Sequence, residues 1–187
     1  MDNQFMLCIL SPPPLWLWIG LVATLLALVG AVVIPTFYAI WQKPKITMTL
    51  KCLPVLNENK DALYCEVQNH VNSGCLQFIG IDRRAVENFD FFYTIYDMTN
   101  KVLVTGHTQE VTYRRSKIQS IPSSVIPARI YILSIGENDT EYFDNRGQRS
   151  LIPQEYSIEC KLVYYRKTII KKEKFIVNNN KPFITLE

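Results

Sequence analysis

Residues 15–52 read LWLWIGLVATLLALVGAVVIPTFYAIWQKPKITMTLKC, and the pattern of apolar residues changes within them. Residues 15–40 contain no charged side chain, whereas apolar and polar residues alternate from Ile46 to Cys52. An uncharged apolar run of this length is typical of a membrane-spanning helix, and alternation is typical of a half-buried strand. The stretch therefore predicts a single transmembrane helix joined almost directly to a β domain.

The helix is expected to occupy residues 15–41, after a short N-terminal tail at 1–14. About 20 apolar residues, rising 1.5 Å each, are enough to cross a hydrocarbon core of about 30 Å. Prolines precede the first helical turn, and Pro35 is expected to kink or thin the helix near its end. Aromatic and basic side chains anchor such helices at the two interfaces. The candidate anchors are Trp16, Trp18, Tyr38, Trp41, Lys43 and Lys45.

A cleaved signal peptide is the alternative interpretation of the N-terminal segment. Signal peptides have a basic beginning, a shorter apolar core and a small-residue cleavage site. Residues 1–14 contain no Lys or Arg, and the apolar run is longer than such a core. The sequence therefore favours a retained anchor.

Charge predicts the orientation of the anchor. Lys43, Lys45 and Lys51 follow the helix, and no basic residue precedes it. Because positive flanks stay on the cytoplasmic side, we expect the C-terminal domain in the cytoplasm. The extracytoplasmic alternative stays open, since Asn138-Asp139-Thr140 matches an N-glycosylation sequon.

Small residues recur along the helix. Ala23, Ala27 and Ala31 are spaced by four residues, with Gly20 on an adjacent stripe. Such spacing lets two membrane helices approach closely, so these four residues are a candidate helix-association face.

The region from residue 46 onward, after a basic junction at 42–45, predicts a single antiparallel β-sandwich. Runs of alternating or β-branched residues are separated by polar turns, and no long amphipathic helix is evident. About eight short strands in such a domain are typical of a sandwich. The expected strands are 46–52, 63–68, 76–81, 89–96, 102–105, 130–135, 156–164 and 168–177, with turns at 56–60, 72–74, 98–101 and 136–140.

Residues 46–187 resemble the immunoglobulin-like class in architecture. Cys65 and Cys160 fall at inward positions on an early and a late strand, as the paired cysteines of immunoglobulin domains do. The buried tryptophan of that class is missing, because all three Trp lie in or beside the apolar helix. The resemblance therefore implies a fold and transfers no functional residue.

The five cysteines do not form a zinc-binding pattern. Cys52, Cys65, Cys75 and Cys160 lie in the domain with no CxxC spacing, and Cys8 lies in the tail. We expect free thiols in a reducing compartment, and one or two disulfides if the domain faces outward.

Catalytic, cofactor and metal motifs are not evident. His70 and His107 are the available imidazoles, and no nucleophile elbow, HExxH or phosphate loop accompanies them. Residues 137–141, with Asp144 and Asn145, offer oxygen ligands for calcium but lack the EF-hand spacing, so a solvated loop is expected. The sequence therefore predicts no enzyme, no cofactor and no metal site.

Positive charge clusters on the last predicted hairpin. The net charge of +3 is too small to indicate a nucleic-acid partner. A local basic cluster suits anionic lipid or a protein partner, although lysines also protect sheet edges. The candidate contact residues are Arg166, Lys167, Lys171, Lys172 and Lys174.

These features predict a membrane-anchored, non-catalytic interaction or accessory subunit, with membrane lipid and a protein partner or second copy as contacts. The alternative is a membrane effector or channel-associated subunit that oligomerises through its helix and senses a ligand with its soluble domain.

Overall fold

The structure, a computed structural model, describes residues 14–56, 58–136, 141–144 and 147–187. The chain divides into two compact units at the Gln42–Lys43 bond. The tail up to residue 13 with Cys8, most of the predicted turn at 136–140 and the Asn138 sequon lie outside the described residues. The side chains of 141–150 also lie outside the description.

The described part of the first unit is a helix with a local widening. It consists of α1 (Leu15–Leu28), a π-helical segment (Val29–Val33) and α2 (Ile34–Trp41). Pro35 has no backbone N–H, and its ring disfavours a normal α-turn against the residue four positions earlier. The wide turn directly before α2 accommodates this proline. By length and composition the helix is a candidate membrane span.

The second unit is mainly β, as the sequence predicts. Its strands are β1 (Ile46–Pro54), β2 (Lys60–Asn69), β3 (Val86–Glu87), β4 (Phe89–Tyr96), β5 (Val102–Thr108), β6 (Val111–Tyr113), β7 (Ser116–Ile118), β8 (Ser120–Ile121), β9 (Ala128–Gly136), β10 (Glu141–Asp144), β11 (Gly147–Ser150), β12 (Glu155–Tyr164), β13 (Lys167–Val177) and β14 (Ile184–Leu186).

Two five-stranded sheets dominate this unit. The first has the order β1-β2-β9-β6-β7, and the second has the order β14-β13-β12-β4-β5. The pairs β3–β8 and β10–β11 form two short ladders. All of these strand pairs are antiparallel. The predicted class, antiparallel β with one N-terminal apolar helix, is confirmed.

Both large sheets contribute to one hydrophobic core. On β2, Leu63 and Cys65 are fully buried, and on β12, Cys160 and Leu162 are fully buried. Alternate residues of each strand point inward, which follows the period-two pattern of the sequence. The prediction that Cys65 and Cys160 lie inward is confirmed.

The predicted strand at 76–81 is wrong. The structure has a short helix there, α3 (Cys75–Phe78), between Gly74 at φ +69° and Gly80 at φ +71°. Glycine adopts this left-handed conformation at little steric cost, so the two glycines end any extended run. In this segment Phe78 and Ile79 point toward solvent, whereas Ile81 is buried.

Candidate functional site at the chain-entry end

One end of the β unit collects the chain entry and several loops. Here β1 begins at Ile46 opposite Asn69, the last residue of β2, and β12 turns into β13 between Tyr164 and Lys167. Contacts from both sheets converge on one loop: the Tyr165 hydroxyl donates to the Ala85 carbonyl at 3.3 Å. The Asn69 side chain donates to the neighbouring Arg84 carbonyl. We call this end the chain-entry face.

The basic junction is hydrogen-bonded to the β unit from Lys43 onward. The Lys43 carbonyl accepts from Arg83 Nη1 at 2.7 Å, and the Lys45 carbonyl accepts from the His70 amide at 2.9 Å. The Lys45 amide donates to Asn69 Oδ1 at 3.2 Å. Because these bonds fix the backbone, residues 43–45 belong to the folded unit rather than to a flexible linker.

Asn69 is the centre of the hydrogen-bond network at this face. Its side chain is almost fully buried, and Nδ2 donates to the Arg84 carbonyl at 2.9 Å and to the Ile121 carbonyl at 3.5 Å. The Asn69 carbonyl accepts from the Ser124 amide at 3.0 Å. One buried amide therefore joins the start of β1 to two loops. Asn72 makes a similar buried bond to the Ile81 carbonyl at 2.8 Å.

Three loops of the chain-entry face expose large apolar or aromatic side chains. The exposed fractions are 92% for Phe78 and 57% for Ile79 in the first loop, and 74% for Val125 and 51% for Ile126 in the second. Tyr165, in the β12–β13 turn, is 62% exposed. Exposed apolar side chains are individually common, but clusters at one end of a domain mark contact surfaces.

The backbone beneath these side chains is held in place. Gln68 Nε2 donates to the Val125 carbonyl at 2.9 Å, and the Ile126 amide donates to Ser124 Oγ at 3.0 Å. The Ile81 amide donates to the Leu76 carbonyl at 2.9 Å. The exposed tips therefore project from ordered loops.

The predicted basic cluster divides into a tip and a shaft. Arg166 and Lys167 lie at the hairpin tip on the chain-entry face, and both are exposed. Lys171, Lys172 and Lys174 lie farther along β13, and we call them the shaft lysines.

The shaft lysines are paired with acids. Lys171 contacts Glu173 at 2.8 Å, Lys172 contacts Glu159 at 2.6 Å, and Lys174 contacts Glu155. These hydrogen bonds raise the pKa of each lysine. In the described chain, β14 pairs only with Phe175–Val177 of β13, so the shaft lines an uncovered edge. Lysines on an uncovered strand edge discourage pairing with a strand of another chain, and this role accounts for the shaft lysines.

The cations of the chain-entry face have a different environment. Lys43, Lys45, Arg166 and Lys167 are exposed, and within the described residues no carboxylate lies within salt-bridge distance of them. The structure thus brings the two junction lysines to the same end as the hairpin tip, a grouping that the sequence does not indicate.

The two histidines make side-chain contacts on the surface. His70 Nε2 lies 2.7 Å from Thr47 Oγ1, and His107 Nε2 lies 2.8 Å from Asp90 Oδ1. Hydrogen bonds from Gln109 and His107 lower the pKa of Asp90. An imidazole beside a carboxylate has a fixed tautomer, which a general base also needs.

His107 borders a cleft of about 370 Å³. Tyr93, Tyr131 and the ion-paired Lys117 and Arg129 also line it, so the cleft presents aromatic and charged groups. The ring of Tyr93 lies across Gly106, where even a Cβ atom would lie only 2.1 Å from the ring. In the described residues, no group of three or more His, Cys, Asp or Glu side chains could hold a metal ion. The candidate calcium ligands at 137–141 lie outside the described side chains.

Cys65 and Cys160 face each other across the core. The thiol of Cys160 hydrogen-bonds with Cys65, and this bond together with burial raises the pKa of Cys160. Both thiols are free in the structure, as are the half-buried Cys52 and the exposed Cys75. A raised pKa disfavours the thiolate, which is the nucleophilic form of a cysteine.

The candidate helix-association residues are exposed on the surface of the helix. Gly20, Ala23 and Ala27 lie in α1, whereas Ala31 lies in the π-helical segment. The Thr24 hydroxyl donates to the Gly20 carbonyl at 2.8 Å, which satisfies it within the helix. The anchor candidates Trp16, Trp18, Tyr38 and Trp41 lie near the two ends of the same helix.

No protein-family model and no curated protein matches the chain. Among solved structures, it is similar to the crystal structure of a Parabacteroides merdae β-glucuronidase, at 11% sequence identity and a TM-score of 0.32. The match covers 70% of this chain and 13% of the glucuronidase chain. At that TM-score the likeness supports neither a fold nor an activity.

Replacing Asn69 with Leu should loosen the chain-entry face. Three buried or partly buried backbone groups would lose a partner, which costs about 1–3 kcal/mol of unfolding free energy. Hydrogen exchange over residues 81–86 should accelerate in the same variant. Chemical denaturation and exchange mass spectrometry measure the two effects.

Asn180→Leu is the matched control, because Asn180 is exposed. This substitution should change the free energy of unfolding by no more than about 0.5 kcal/mol. Equal unfolding free energies for the two variants would contradict the role of Asn69.

Proposed function

We propose that the chain is a single-pass membrane protein whose β domain is a non-catalytic interaction or accessory subunit held at the bilayer surface. The observation that carries this proposal is the junction. A candidate span ends at Trp41, and hydrogen bonds to the β unit begin at Lys43. A domain joined in this way has little freedom to leave the surface, which suits a subunit that meets its partner beside the membrane.

The strand order supports an immunoglobulin-like sandwich as the finer description of the domain. If β1, β2, β9 and β6 are named A, B, E and D, the first sheet has the order A-B-E-D. If β13, β12, β4 and β5 are named G, F, C and C′, the second has the order G-F-C-C′. Immunoglobulin domains use the sheets ABED and CFG, with additional C strands in the variable type.

The cysteine positions support the same description. Cys65 lies on strand B and Cys160 on strand F, where immunoglobulin domains place their inter-sheet cysteines. The absence of a core tryptophan distinguishes this domain from that class. Domains of this architecture serve many purposes, so the architecture itself assigns no partner.

A non-catalytic role is favoured by the environment of the reactive groups. The imidazole of His70 pairs with a hydroxyl on the exposed surface, and the His107–Asp90 pair is also exposed. Neither arrangement combines a nucleophile, a base and an orienting group in a closed site. Five of the large exposed apolar side chains of the β unit lie instead on the chain-entry face, beside exposed cations.

The orientation we propose has the domain in the cytoplasm. Lys43, Lys45 and Lys51 provide the directional charge, and the extracytoplasmic orientation is the alternative. The Cys65–Cys160 pair offers a second readout, because contacting thiols can form a disulfide in an oxidising compartment.

A one-sided reporter fused after residue 187 should therefore be active in the cytoplasm. Replacing Lys43, Lys45 and Lys51 with Gln, together with Asn3→Lys and Gln4→Lys, should shift a substantial fraction of the chain to the inverted form. Inversion in a eukaryotic host should produce a glycosidase-sensitive mobility shift from Asn138.

The matched control is Lys101→Gln, Lys161→Gln and Lys181→Gln, which removes equal charge far from the span along the chain. Orientation should not change in this variant, since the charge bias acts within about 15–20 residues of the span. Glycosylation at Asn138 or a Cys65–Cys160 disulfide in the unmodified chain would overturn the cytoplasmic assignment.

The cleft beside His107 favours a second candidate function, a ligand-sensing subunit that oligomerises through its helix. Small residues at Ala23 and Ala27 would form the helix contact. Ala23→Leu with Ala27→Leu should then convert an oligomer to a monomer in light scattering, whereas Leu21→Ala with Leu25→Ala should not. A strict monomer of the unmodified chain in detergent and in nanodiscs would exclude this alternative.

A further inference from the structure

We propose that the chain-entry face docks onto an anionic bilayer surface, with the tips of its three loops in the headgroup layer. This inference rests on the proposed membrane anchoring and adds the contact surface and the lipid charge. Its apolar tips are Phe78, Ile79, Val125, Ile126 and Tyr165.

The composition of the face matches that of a membrane interface. Aliphatic and aromatic tips enter the headgroup layer, and lysine and arginine beside them attract anionic lipid. Six cations lie on the junction and these loops, whereas three carboxylates lie nearby. The cations are Lys43, Lys45, Arg83, Arg84, Arg166 and Lys167, and the carboxylates are Asp82, Glu87 and Asp90.

The neighbouring carboxylates only partly offset this charge. Asp90 accepts hydrogen bonds from Gln109 and interacts with His107 on the outer side of its sheet. Arg83 is directed toward the Lys43 carbonyl, so its charge lies beside the junction lysine. The face therefore has an excess of positive charge.

Chain connectivity selects the bilayer over a separate protein as the occupant. The chain advances five residues from Trp41, the end of the candidate span, to Ile46, the start of β1. Even a fully extended chain of that length reaches only about 16–18 Å. A face with this entry point stays close to the headgroups whenever the helix spans the membrane.

Full-length protein in nanodiscs allows a direct test. Exchange mass spectrometry compares phosphatidylcholine discs with discs that contain phosphatidylserine. The amides of peptides covering 74–81 and 123–127 should exchange at least about threefold more slowly in the anionic discs than in the phosphatidylcholine discs, because anionic lipid strengthens docking. Salt at about 1 M should remove the difference, since it shortens the Debye length to about 3 Å.

Two variants and one control identify the contact. Phe78→Ser with Ile79→Ser and, separately, Arg166→Gln with Lys167→Gln should each lose most of the protection. The control is Leu56→Ser with Met98→Ser, which removes exposed apolar side chains from turns at the opposite end of the sheets. This control variant should keep the protection from exchange in anionic discs. Unchanged protection in β12 peptides verifies that each variant is folded.

The outcomes separate docking from anchoring. Flotation of the full chain with phosphatidylcholine vesicles after alkaline wash tests the anchor, and loss of the chain from the vesicles would refute the proposed function. A chain that stays in the vesicles but exchanges equally in neutral and anionic discs would overturn the docking proposal alone. Protection that appears only after a second protein is added would likewise overturn it.

Discussion

The buried side chain of Asn69 is the interaction on which the chain-entry face depends. A primary amide in an apolar place is stable only when its donors and acceptor are paired. Asn69 meets this requirement by bonding to the junction at Lys45 and to the carbonyls of Arg84 and Ile121. One polar group inside the fold therefore helps to hold the exposed loops, together with the hydrogen bonds of Gln68 and Tyr165.

The second constraint is the short stretch of chain between the helix, which ends at Trp41, and β1, which begins at Ile46. An apolar helix in water exposes a large hydrophobic surface, so insertion into a bilayer is the favourable way to cover α1 and α2. The junction is hydrogen-bonded to the β unit at Lys43 and Lys45. This coupling links the proposed anchor to the proposed docking surface.

Local patterns made much of the fold predictable. Alternation placed Cys65 and Cys160 inward, because side-chain direction in a strand is a period-two property. The prediction of a strand at 76–81 was wrong because an apolar run alone does not distinguish a strand from a short helix. Gly74 and Gly80, on either side of the helix, were the missed turn signals.

The candidate site was less predictable, because it joins residues that are distant in sequence. Strand pairing places Phe78, Val125 and Tyr165 at the same end of the β unit. The basic cluster looked uniform in sequence, but cross-strand acids such as Glu159 pair with its shaft and leave the tip on the chain-entry face. Long-range pairing of this kind is not encoded in local periodicity.

The most direct test of the central claim is the depth of the exposed Cys75 relative to the bilayer. A fluorophore on Cys75, in a full-length Cys8→Ser, Cys52→Ser variant in anionic nanodiscs, is quenched by lipids with spin labels in the headgroup. The account predicts strong headgroup quenching at Cys75 and little quenching of a fluorophore on Leu56→Cys in a Cys75→Ser version of the same variant. Equal quenching at the two positions would contradict it.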